Sequence, residues 1–131
     1  MSEARAQPFA PGSHPIAAYG GGAFAFAGMK HEGSILATPA GVRPLQAATL
    51  AELTPETLRP LFEESAASPG SIEFLVIGVG ADVAPVSPAL KVALRAAGLR
   101  FDAMATGPAL RVYNIMQGEG RRVAAALIAA P

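Results

Sequence analysis

Residues 71–98 read SIEFLVIGVGADVAPVSPALKVALRAAG, and the fold is decided by how this stretch divides. Residues 72–79 are almost unbroken hydrophobe, the pattern of a strand covered on both faces. Gly78-Val79-Gly80 ends that strand. Ser87-Pro88 then supplies a helix cap and a first-turn proline. Leu90, Ala93, Leu94 and Ala97 recur at i, i+3, i+4 and i+7, which puts Lys91 and Arg95 on the solvent side. Gly98 stops the helix, and Leu99 folds back onto Leu94 in a Schellman contact.

A strand, a glycine turn and a helix also open many nucleotide folds, so the turn has to be tested as a phosphate cradle. A dinucleotide fingerprint needs a third glycine within about one turn of the helix start, where amide groups meet the pyrophosphate. Val83 stands there instead, and residues 84–87 intervene before the helix. No Gly-Lys-Ser/Thr follows, which excludes a Walker loop. The glycines turn a corner and leave the carboxyl end of a strand open.

The pattern extends in both directions. Upstream, "IAAY" (16–19) and "AFAFAG" (23–28) flank Gly20-Gly21-Gly22 as a hairpin, with Phe24 and Phe26 on one strand face. "GSILATP" (33–39) and "GVRPL" (41–45) flank a second reversal at Pro39-Ala40-Gly41, and Pro44 marks an edge or a strand end. Thr54-Pro55-Glu56 predicts a helix start, and Pro60 an irregular first turn. Downstream, "LRFDAMA" (99–105) predicts a strand whose Arg100 and Asp102 share a wet face, or one at the sheet edge. Residues 107–118 predict a helix burying Ala109, Val112, Tyr113 and Met116, and "RVAAALIAA" (122–130) closes the chain as a strand. The expected fold is α/β, a three-layer domain with a mixed central β-sheet flanked by helices, plus a small N-terminal β appendage. Residues 1–15 are expected to be a flexible tail, and 16–131 one domain.

Composition excludes much chemistry. The 131 residues are 51% hydrophobic and 15% charged, with ten basic and ten acidic side chains. A balanced charge gives no reason to seek nucleic acid. The Arg121-Arg122 doublet reads as the solvated start of a strand. Without cysteine there are no disulfides, thiolate metal sites or thiol nucleophiles. His14 falls in the expected tail and His31 in a Lys-His-Glu turn, neither at metal-ligand spacing, so neither metal nor cofactor is expected. Glu52/Glu56 and Glu63/Glu64 read as solvated helix faces. No window has the roughly 20 apolar residues of a membrane span, so direct insertion is not expected.

Candidate binding residues come from position. Ligands of open α/β sheets collect outside the carboxyl ends of parallel strands. Gly78, Gly80 and Asp82 lie there, and so does Thr106 if the next strand runs parallel. Asn114 sits mid-helix in the polar stripe Arg111–Asn114–Gln117, where asparagine has mediocre propensity. Arg43 could close over this edge as a lid. An anionic group would suit the free amides of such a crevice.

The strings "TGPALRVYNIMQGEGRRVAAALIAAP", "GSILATPAGVRPL" and "IEFLVIGVG" together resemble a family of small bacterial and archaeal proteins that includes the mitochondrial NADH dehydrogenase (complex I) assembly factor 3. The resemblance covers about residues 16–131. Its marks are Gly33, Arg43-Pro44, residues 76–80, Thr106, Asn114 and Glu119-Gly120-Arg121. It implies a three-layer α/β domain with no established enzymatic activity, acting through protein contacts in respiratory-complex assembly. Residues 1–15 carry one arginine, unlike a basic mitochondrial leader, so a cytoplasmic protein is expected. Three readings follow: a non-enzymatic protein-binding or assembly module, a small-molecule binder or weak enzyme at the strand-end site, and a homo-oligomer pairing through Phe24 and Phe26.

Overall fold

In the computed structural model, which describes residues 10–129, the decisive stretch forms β7 (Phe74–Gly78) and α2 (Pro88–Ala96). The remaining elements are β1 (Ala10–Pro11), β2 (Ile16–Gly20), β3 (Ala23–Phe26), β4 (Met29–Glu32), β5 (Ile35–Thr38) and β6 (Gly41–Pro44), then α1 (Arg59–Ala67), β8 (Arg100–Met104), α3 (Thr106–Gly118) and β9 (Val123–Leu127). Six strands form one sheet in the order β1-β6-β5-β9-β7-β8. β7 is parallel to β8 and β9, whereas β5 is antiparallel to β9 and to β6, so the sheet is mixed. β2, β3 and β4 form a separate antiparallel sheet, the appendage.

Alternation along the central strands builds two cores. Leu36, Leu75, Ile77, Ala124 and Ala126 face α1 and α2, packing on Leu58, Leu61, Leu90 and Leu94. Ile35, Val76, Ala125 and Leu127 face the other way, onto Ala109 and Tyr113 of α3 and Ile16, Phe24 and Phe26 of the appendage. Val76 and Ile77 are both wholly buried, one in each core. That is why the run around them shows no polar alternation. β9 sits at the centre, and its alanines leave room for helices on both sides.

Ser87 caps α2 by accepting the Leu90 amide at 3.2 Å. Gly98, at φ +75°, closes it in a Schellman motif, with Leu99 N donating to Leu94 O and Gly98 N to Arg95 O. β8 is an edge strand, which accounts for the exposed Arg100 and Asp102.

Several expectations need correction. The helix expected at Thr54-Pro55 begins at Arg59, which places Pro60 in the first turn, where its missing N–H costs no helical bond. Thr54 and Thr57 instead close a turn on each other's amides. His31 lies in strand β4, opposite Phe24, and not in a turn; a run without hydrophobic alternation hid the strand. Phe24 and Phe26 are buried against α3, so they form no surface patch. Glu64 is not a solvated face: it accepts from Thr38 Oγ1 at 2.6 Å and from Ala40 N at 3.1 Å, tying α1 to the β5–β6 hairpin. The tail expected over 1–15 is docked in its last part, where Ala10–Pro11 pairs with β6; residues 1–9 lie outside the described residues.

Candidate functional site

Three of the residues singled out at the strand ends come together. Thr106 opens α3 directly against the end of β7, and this approach requires glycine at 78. A Cβ there would lie 2.9 Å from Thr106 Oγ1 and 3.0 Å from both Thr106 Cα and Leu127 Cδ2. The Thr106 hydroxyl donates to Ile128 O at 2.7 Å and accepts from Gly80 N at 2.9 Å. Thr106 N donates to Gly80 O, Ile128 N to Gly78 O, and Val79 N to Met104 O, all within 2.8–2.9 Å. The ends of β7, β8 and β9 and the start of α3 are thereby knotted around one buried threonine. Asp82 lies just beyond, exposed in the following bend.

Asn114 and Arg43 do not join that cluster. Asn114 stands eight residues along α3 from Thr106, about 12 Å by helical rise. Its Oδ1 accepts from Ile16 N and its Nδ2 donates to Ile16 O, both at 2.8 Å. Neighbouring contacts extend this clamp: Tyr113 Oη donates to His14 O at 2.7 Å, and Gln117 Nε2 to Ser13 Oγ at 3.2 Å. The polar stripe of α3 therefore holds the chain segment leading into the appendage. Arg43 belongs to β6, separated from β7 by β5 and β9, about 14 Å across the sheet. It pairs with Leu36 and is no lid over Gly78.

A surface the sequence did not announce lies between α2 and the free edge of β8. Two open clefts of about 440 and 490 Å3 share Phe101 and together follow β8 from Arg100 to Ala103. Val83, 77% exposed, stands at one end. Lys91, Arg95 and Arg100 line the groove, and Asp102 is the one acid lining it. Lys91 and Arg95 were legible as a solvent-facing pair four residues apart, and Arg100 as wet. What sequence could not supply was that α2 lies beside this edge.

Residues 16–128 match the family described as a protein of unknown function (DUF498/DUF598). The chain belongs to this family. An uncharacterised protein of Rhodobacter capsulatus is 34% identical over 128 residues, covering 95% of this chain and 92% of that one. The crystal structure of an outer membrane protein from Bartonella henselae is similar, with 38% identity, a TM-score of 0.86, and coverage of 93% of this chain and 99% of that one. A Rhodopseudomonas palustris protein solved by NMR shares 42% identity at a TM-score of 0.79, over 100% and 94% of the two chains. The two solved structures share this chain's mixed-sheet α/β fold. No helix among the described residues is long and apolar enough to cross a membrane.

Electrostatics in this DUF498 chain is local. Burial pushes the Tyr113 phenol up to about 12, which keeps it a neutral donor to His14. Glu73 is held below the usual carboxylate range, chiefly by the Arg122 amide and then by Arg121. The Arg121-Arg122 doublet thus joins the starts of β7 and β9. Partial burial lowers His31, opposed by Glu32. Among the described residues, no three His, Asp or Glu side chains group as a metal site.

Proposed function

We propose that this protein is a non-enzymatic protein-binding module of the assembly-factor kind, docking its partner in the groove between α2 and β8. The observation that carries this reading is the groove itself: an apolar floor around Phe101, an exposed Val83, and a rim of Lys91, Arg95 and Arg100. Such a surface suits a segment of another protein that places apolar side chains between acidic ones. The resemblance to the complex I assembly factor lends support, since that branch acts through protein contacts. A cytoplasmic setting goes with it, the cysteine-free composition being in keeping with a reducing compartment.

The other reading, an anionic small molecule bound by Gly78, Gly80, Asp82 and Thr106, is weakened because the Thr106 hydroxyl and the Gly80 amide are engaged with each other. The two are separated by purifying the tagged chain from its own host beside the double variant Arg95→Glu/Arg100→Glu. A partner protein is expected in stoichiometric amount with the native chain and is lost from the variant. A co-purifying small anion, retained by the double variant and lost on Thr106→Val, would favour the strand-end reading instead.

A further inference from the structure

Among the described residues the two sheets have four outer edges, and on three of them part of the outward backbone is missing or already engaged. β1 is two residues long and contains Pro11. The β2 edge is clamped at Ile16 by Asn114. On β8, Met104 O accepts from Val79 N, so Met104 points inward and the neighbouring Ala103 amide points out, where it is covered by Asp102 Oδ1 at 3.0 Å. The fourth edge is β4, which pairs only with β3 among the described residues.

The backbone of β4 has a definite parity. A two-residue turn, Ala27–Gly28, with φ of 49° and 77°, joins β3 to β4 and leaves Phe26 opposite Met29 as the closing pair. The closing pair of such a hairpin is hydrogen-bonded, and bonded pairs then alternate along the ladder. Met29 and His31 thus turn their backbone groups toward β3, and Gly33 N donating to Gly22 O continues the same series. Lys30 and Glu32 turn theirs outward.

We propose that two copies of this chain pair antiparallel through their β4 edges, about a two-fold axis at His31. Charged residues on an edge normally deter pairing, but here they deter the registers on either side of one and favour that one. Parity allows only registers in which outward residues meet outward residues. One of these sets Lys30 against Lys30 of the second copy, and another sets Glu32 against Glu32. The register centred on His31 sets Lys30 against Glu32 twice, and like charges directly opposite are destabilising where opposite charges are favourable. It also lays Met29, 39% exposed, over Gly33 of the second copy. The result is one continuous six-stranded appendage sheet across the dimer. It uses none of the groove residues, so it stands or falls independently of the proposed docking surface.

Sedimentation velocity on the full chain tests this. The native chain should show a concentration-dependent dimer. Lys30→Glu and Glu32→Lys should each raise its Kd at least about tenfold, by placing like charges opposite at both positions. Mixing the two variants should restore a dimer, and so should the exchanged chain Lys30→Glu/Glu32→Lys, while circular dichroism confirms that each is folded. A native chain that stays monomeric, a dimer indifferent to either single reversal, or a failure of both the mixture and the exchanged chain to recover would overturn the proposal.

Discussion

Asn114 and Ile16, 98 residues apart in sequence, exchange two hydrogen bonds of 2.8 Å, the asparagine amide acting as a short strand on the β2 edge. The contact explains how an asparagine persists in mid-helix and what keeps the appendage seated on α3. Asn114→Ala should destabilise the fold by about 1–3 kcal/mol, because it strips partners from two backbone groups. Urea denaturation measures the loss, and hydrogen exchange should show the Ile16 amide exposed well before those of β7.

The knot around Thr106 makes a second, separable prediction. Thr106→Val keeps the shape but leaves Gly80 N and Ile128 O bare, at about 1–3 kcal/mol for each. Thr106→Ser keeps the hydroxyl and should cost about 1 kcal/mol, from the lost methyl. Gly78→Ala drives a methyl into Thr106 and Leu127, and overpacking of this kind costs about 1–3 kcal/mol. Thermal melts that rank Ser above Val would bear out the hydrogen-bonding role; equal losses would assign it to packing alone.

Tyr113 sets the alkaline limit. Its folded pKa of about 12 lies above the ordinary value of 10.0, so between these the folded chain holds a proton that the unfolded chain has released. Its contribution is full below pH 10 and is lost as pH rises toward 12. A spectrophotometric titration of the Tyr19→Phe chain, in which Tyr113 is the sole phenol, should show a midpoint near 12. Tyr113→Phe should flatten the fall of stability across that window.

Most of the layered fold can be read from residues whose physics is local. Residues 72–79 show a strand buried on both faces, Ser87 and Gly98 bracket α2, and Pro44 ends β6. What stayed hidden depended on partners distant in sequence. Thr106 and Asn114 stood out as unusual, but their acceptors and donors lie 22 and 98 residues away, and nothing local says that one closes a strand end while the other clamps an edge. His31 was misplaced because Met29-Lys30-His31-Glu32 has no hydrophobic alternation to mark a strand. The groove escaped notice for a related reason: Arg95 and Arg100 become one surface only when α2 is laid against the free edge of β8.

Photo-cross-linking in the native host shows whether this groove receives another protein. A photoreactive residue replaces Val83 at the end of the groove, or Ile115 on α3, which is 58% exposed and serves as the control. A discrete protein adduct is expected from position 83, absent from position 115 and abolished by Arg95→Glu/Arg100→Glu. An adduct that forms equally from both positions, or that survives the charge reversals, would contradict it.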